Sequence, residues 1–225
     1  MNNSEILNGP TFATSDNPKK LIFMLHGYGD NADNFINVAK ALHHKENQFN
    51  YFSLNAPTSL PNYPEGRQWF NIYPNNVYIN EAGVKEIEII SSEINTSLKK
   101  ILNTININKN KFKLKMSDCF ILGFSQGGIM TFECGNYINE NLGGLAILSG
   151  KIIQKKKINN NFLKTPLFIS HGKEDDVLLV NNFYESCDFL EKNNFNFEKH
   201  LLENDSHTIS PSAIVLLQKF IKKNL

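Results

Sequence analysis

Ser117-Asp-Cys-Phe-Ile-Leu-Gly-Phe-Ser-Gln-Gly-Gly-Ile-Met130 reads in three parts. Residues 119–122 are an apolar run of strand length, and Gly123-Phe124-Ser125-Gln126-Gly127 is a G-x-S-x-G turn. From Gly128 on, Met130, Phe132, Cys134 and Tyr137 continue as a buried helix. A serine on so sharp a strand-to-helix turn needs bare backbone on either side, which Gly123 and Gly127 provide. Its Oγ projects from the edge of the sheet, and the new helix points its free N–H groups at the same place. An ester's developing oxyanion needs donors there. Taken alone, the pentapeptide reads equally well as a structural turn with an idle serine, so the rest of the chain has to decide.

Working outward, residues 21–25 (Leu-Ile-Phe-Met-Leu) form a continuous apolar run, as expected of a strand buried on both faces. It stops at His26-Gly-Tyr-Gly-Asp30; a helix through Phe35, Val38, Ala39 and Leu42 follows, with Asp30 or Asn31 placed to cap it. Residues 51–54 are a short strand. Between residues 55 and 76, Pro57, Pro61, Pro64 and Pro74 exclude regular structure over much of the span, which carries Tyr63, Trp69, Phe70 and Tyr73. Such an aromatic loop either lines a substrate groove or covers a core edge.

Val84, Ile87, Ile90, Ile94, Leu98, Ile101 and Ile105 make an amphipathic helix, and residues 106–115 read as a polar loop. Strands are predicted at 144–148 and 166–170, with a surface connection at 159–164 between them. A helix through Val180 to Leu190, an alternating strand at 195–201 and a closing helix from Ala213 to Ile221 complete the chain. Strands alternate with helices throughout, so the reading is α/β: one domain over residues 1–225, a mostly parallel sheet covered by helices on both faces. Residues 1–17 are expected to be a loosely ordered N-terminal segment. Working loops in such sheets lie beyond the carboxyl ends of the strands.

At 225 residues, with 41% hydrophobic and 20% charged residues, the composition is that of a globular protein with one large core. A net charge of +1 gives no field to recruit nucleic acid. The basic run at residues 155–157 reads as a solvated loop. Three cysteines in apolar contexts, Cys119, Cys134 and Cys187, suggest buried reduced thiols. They have no metal-ligand spacing. The first residues lack a basic segment leading into an apolar one, and no apolar run is long enough to span a bilayer. No signal peptide and no transmembrane segment are therefore expected, and the expected location is cytoplasmic.

A serine hydroxyl needs a base, and that base needs an acid to orient it. With this turn the chain order is serine, acid, histidine. Of six histidines, His26, His43 and His44 precede Ser125, and His171 precedes the plausible acids on its own strand end. His200 falls in the alternating strand, whereas His207 lies in a polar loop before the last helix, so His207 is favoured. Asp175 and Asp176 both follow a strand end, and order does not separate them. Asp205 is too near His207 to orient it.

Leu25-His-Gly-Tyr-Gly-Asp30, Gly123-Phe-Ser-Gln-Gly-Gly128, His171-Gly-x-x-Asp175 and the late Asp-Ser-His207 together resemble the carboxylesterase, lysophospholipase and acyl-protein thioesterase family of α/β-hydrolases. The resemblance runs from about residue 18 to the end. It implies the α/β-hydrolase fold, with Ser125 as nucleophile, Asp175 as acid and His207 as base. It also implies an oxyanion hole from the backbone N–H groups of Tyr28 and Gln126, with His26 positioning the oxyanion loop. Trp69-Phe70 resembles the family's Trp-Phe-Asp near the acyl site and would bind substrate, although Asn71 replaces the usual Asp. Asp176 likewise stands where Pro is common.

The expected function is a serine hydrolase without metal or cofactor, cleaving esters or thioesters of an apolar acyl group through an acyl-enzyme. Its substrate would be a small ester, a lysophospholipid or an S-acylated protein, with transient contact to a membrane-borne substrate allowed. The rival readings are a non-catalytic binding protein on the same fold and an acyltransferase with the same residues.

Overall fold

A computed structural model of the chain describes residues 6–79, 81–153 and 158–225. The basic run at 155–157 lies outside them. Among the described residues the elements run β1 (Thr11–Ala13), β2 (Lys20–Leu25), α1 (Ala32–Phe35), α2 (Asn37–Leu42), β3 (Phe49–Leu54), β4 (Thr58–Leu60) and β5 (Tyr63–Gln68). Then come α3 (Val84–Lys111), β6 (Cys119–Phe124), α4 (Gln126–Tyr137), β7 (Gly144–Leu148) and α5 (Asn160–Leu163). β8 (Leu167–Gly172), α6 (Asn181–Lys192), β9 (Phe197–Leu202) and α7 (Pro211–Asn224) close the chain.

The main sheet has the order β1-β3-β2-β6-β7-β8-β9. Every neighbouring pair is parallel except β1 with β3. From β2 the chain crosses to β3 on one side, then returns to β6 on the other. β2 and β6 therefore flank the point where the winding reverses, with Leu25 opposite Gly123 at their carboxyl ends. Ligand crevices form at such switch points, where successive connections diverge to opposite sides of the sheet. The serine turn leaves β6 at this place, and the His26–Tyr28 loop leaves β2.

The continuous apolar runs follow from this topology, because the central strands are covered on both faces. Leu21, Phe23 and Leu25 of β2 point with Cys119 and Ile121 of β6 into a core closed by α3, α4 and α6. Ile22 and Met24, with Phe120 and Leu122, face the opposite core, closed by α1, α2 and α7. On α3 the stripe from Ile90 to Ile105 is buried as its spacing predicts, while Val84 and Ile87 are exposed.

Several local expectations are corrected. The segment before residue 18 is held in place rather than loose over its described part. β1 pairs with β3, Leu7 is buried, and the buried Asn50 accepts from the N–H groups of Thr14 and Ser15 at 2.9 and 3.2 Å. That anchor is polar, so hydrophobic period does not reveal it. The proline-rich span holds the antiparallel β4–β5 hairpin. Each strand of a two-stranded sheet has a free edge, so Pro64 in β5 costs no ladder hydrogen bond. The expected surface connection contains α5, capped by Asn159, with Phe162 buried against Phe132 and Phe195. The polar segment after Ile105 stays helical to Lys111; Lys109 and Lys111 sit favourably at the helix's carbonyl end. The first predicted helix is interrupted at Ile36, and Asn31 caps its first half.

Candidate active site

Ser125 sits between β6 and α4 at φ 54°, ψ −115°, a conformation rarely adopted by residues with a side chain. The turn is locked on both sides. Ser125 N–H donates to Leu148 O at 2.9 Å, and its carbonyl accepts the Ile129 N–H at 3.1 Å. A Cβ on Gly127 would lie 2.0 Å from Leu25 O, so only glycine lets α4 start this close to β2.

His207 comes from the loop between β9 and α7. Its ring nitrogens lie 2.7 Å (Nδ1) from Asp175 Oδ2 and 2.9 Å (Nε2) from Ser125 Oγ. With Nδ1–H donating to the carboxylate, Nε2 presents its lone pair to the serine hydroxyl. Phe124 packs on the ring at 4.8 Å between centroids. Backbone bonds tie the His207 loop to the Asp175 loop: Lys173 N–H to Leu202 O at 2.9 Å and Glu174 N–H to Asp205 O at 3.0 Å. A side chain on Gly172 would strike Asp205 O at 2.2 Å. The chain's two aspartates after β8 are thereby separated. Asp175 is buried against His207, whereas Asp176 is exposed. His200 lies in β9 against Phe168, and does not reach the serine turn.

Asp175 Oδ1 accepts the N–H groups of Val177 and Leu178 at 3.0 and 2.8 Å. Burial works to raise its pKa, but the His207 and Leu178 hydrogen bonds and the nearby histidines outweigh it, and the net shift is downward. The carboxyl is thus an ionised acceptor with both oxygens engaged.

Gly27, Tyr28 and Gln126 line the cavity beside Ser125. His26 is buried beneath this loop. Its Nε2 accepts from Ala56 N–H at 3.1 Å, so in the neutral ring Nδ1 carries the proton and donates to Gly27 O at 2.7 Å. Because C=O and N–H point oppositely across a trans peptide, anchoring Gly27 O fixes the direction of the Tyr28 N–H. The β4–β5 hairpin braces the same loop through Gly29 N–H to Arg67 O and Arg67 N–H to Asp30 O, both 2.9 Å.

Trp69 and Phe70, expected to bind substrate, are buried beneath the site and do not line its cavity. They were the aromatics on the core side of the alternative. The Trp69 indole N–H donates to His26 O at 2.9 Å. The Gln126 side chain accepts from Trp69 N–H at 2.9 Å and donates to Phe70 O at 2.7 Å, tying this loop to the start of α4. Asn71 accepts from Tyr73 N–H at 2.8 Å through its side-chain oxygen, an acceptor role open equally to Asp. The apolar walls come instead from Ile72, Tyr78, Ile79, Ile129, Val177 and Leu178, around a cavity of about 240 Å³. Lys151 and Asp30 bring charge to its rim. No spacing signal in the sequence marks these wall residues.

The cysteines are buried free thiols, and burial pushes Cys119 up to about 12 and Cys187 up to about 11, which keeps them protonated and unreactive. Among the described residues no group of three or more His, Cys, Asp or Glu is arranged to hold a metal ion, and no helix is long and apolar enough to cross a membrane.

Burial also pushes the His26 and His171 imidazoles below their usual 6.5, against hydrogen bonds that favour the charged forms. Both rings are neutral when folded, whereas in the unfolded chain they protonate below about pH 6.5. The stability they help to confer is complete above that pH. It falls as the pH drops from about 6.5 toward the folded values, by at most about 1.4 kcal/mol per pH unit for each ring. Urea midpoints measured from pH 7.5 to 5.5 are expected to decline below 6.5; a flat series contradicts buried neutral rings.

A family model described as phospholipase/carboxylesterase matches residues 10–225. Acyl-protein thioesterase 1 of Candida albicans is 24% identical over 224 residues, covering 93% of this chain and 94% of that protein. A probable carboxylesterase of Oryza sativa subsp. japonica is 25% identical over 235 residues, covering 99% of this chain and 84% of that protein. Among solved structures, esterase PE8 superposes with a TM-score of 0.82 at 21% identity, covering 98% of this chain and all of that one (100%). At that identity the likeness concerns the fold.

Proposed function

Because the chain belongs to the phospholipase/carboxylesterase family, we propose that it hydrolyses esters or thioesters of an apolar acyl group with Ser125 as nucleophile, His207 as base and Asp175 as orienting acid. The observation that carries this reading is the file of Ser125 Oγ, the His207 ring and the Asp175 carboxylate, at 2.9 and 2.7 Å. His207 Nε2 takes the hydroxyl proton as Oγ attacks the carbonyl carbon, and Asp175 stabilises the imidazolium that forms. The Tyr28 and Gln126 N–H groups hold the oxyanion, each contributing about 3–4 kcal/mol to the transition state. His207 then protonates the departing alcohol or thiol. Water, deprotonated by the same nitrogen, attacks the acyl-serine and releases the acid.

The apolar walls favour an acyl chain over a polar one, and S-acylated peptides and lysophospholipids are the substrate classes in this reading. Three buried thiols agree with a reducing, cytoplasmic setting. Hydrolysis rates across p-nitrophenyl esters from acetate to palmitate, with a palmitoylated peptide and a lysophospholipid alongside, test it. The expected kcat/KM rises from acetate into the medium chain lengths, each well-placed methylene contributing up to about 1–3 kcal/mol. A series in which acetate is best contradicts an apolar acyl site.

A further inference from the structure

His171 is the penultimate residue of β8, and its ring is buried four residues before Asp175. Its Nε2 lies 2.6 Å from Leu178 O, an atom that only accepts, so this nitrogen carries the proton. The same nitrogen is 3.3 Å from Asp175 Oδ2, the oxygen that faces His207. Nδ1 of His171 is buried without a hydrogen-bond partner among the described residues. A proton there would be a stranded donor, so the ring serves as a one-sided donor and stays neutral. Phe183 packs near it at 5.9 Å, and the charged groups facing it are Asp175 and His207.

We infer that His171 is a positioning residue for the Asp175–His207 pair, its single Nε2–H shared between Leu178 O and Asp175 Oδ2. The inference rests on the proposed triad and extends it. Asp175 then has four donors: two backbone N–H groups on Oδ1 and two imidazoles on Oδ2. The oxygen that orients His207 is held from a second direction. The donor also fixes Leu178, whose side chain forms part of the acyl wall, so one nitrogen ties the carboxylate to the substrate cavity. A neutral ring does this without setting a second positive charge beside the imidazolium formed during turnover.

The experiment compares His171→Phe, which keeps a ring but no donor, with His171→Gln, whose Nε2 reaches the same place. For p-nitrophenyl butyrate, kcat of His171→Phe is expected to fall about 10- to 100-fold with KM little changed, as for a small misplacement of a catalytic group. The acid limb of its rate profile is expected to move upward. Oδ2 stays against His207, held through Oδ1, but loses a competing donor and so favours the imidazolium more. His171→Gln is expected to recover most of the rate. A folded His171→Phe with kcat within twofold of the parent and an unmoved limb overturns the inference, as does a His171→Gln no faster than His171→Phe. Ser125→Ala, run in parallel, separates the two levels. If it retains activity, the triad reading itself fails; if it is inactive while the His171 variants are unaffected, only the role of His171 fails.

Discussion

Ser125→Ala is expected to lower kcat on short p-nitrophenyl esters by about 10⁴–10⁶, a loss on the order of 5–8 kcal/mol of transition-state stabilisation. It is also expected to abolish labelling by a fluorophosphonate. The fold has little reason to change. The serine's structural bonds, to Leu148 O and from Ile129 N–H, are made by its backbone, and among the described residues its Oγ bonds only to the His207 ring. The residual rate is expected from what the mutation leaves in place, the cavity and the proposed N–H donors of Tyr28 and Gln126. An unchanged melting temperature with retained labelling would remove Ser125 from the mechanism.

Asp175→Asn is expected to cost about 10⁴ in kcat, since it delivers the wrong histidine tautomer. The surroundings dictate how the amide sits. The Val177 and Leu178 N–H groups demand an acceptor at the Oδ1 position, at 3.0 and 2.8 Å. The asparagine oxygen therefore goes there, and its NH₂ group faces His207 Nδ1. To meet a donor, Nδ1 must give up its proton, which moves to Nε2 and confronts the serine hydroxyl with a donor instead of a base. The same NH₂ group also meets the His171 donor, so the variant is strained besides. Asp176→Asn, on an exposed side chain, is the control and is expected to stay within about twofold, a difference worth less than 1 kcal/mol. Equal losses in the two variants would contradict the assignment of the acid to Asp175.

The contrast between these neighbours shows where a linear reading stops. Both aspartates follow the same strand in the same composition, and nothing local tells which one turns inward. The choice is made by the Lys173 and Glu174 backbone bonds to the His207 loop, whose partners lie about thirty residues downstream. Chain order argues against His171 as the base and says nothing of what its ring lies beside. The approach of its ring to Asp175 Oδ2, at 3.3 Å, is visible only once the 172–178 loop has curled back on the end of β8. Trp69 and Phe70 read as aromatics in a proline-rich loop, yet both rings are buried in the core: the site uses their backbone, through Gln126, and the Trp69 indole N–H, through His26 O. The wall residues gave no signal because Ile72, Ile79 and Val177 look like any apolar residue until a cavity exists around them.

Sequence alone determined the alternating architecture and the serine turn. Strands covered on both faces must be apolar without interruption, and a backbone this crowded admits only glycine, so both constraints are written in local residue types. The tertiary structure decided which acid turns inward, which aromatics support the site and which residues form its walls. Those outcomes depend on loops from distant parts of the chain meeting at the rim where the winding of the sheet reverses, and a meeting of that kind leaves no period or spacing in any one of them.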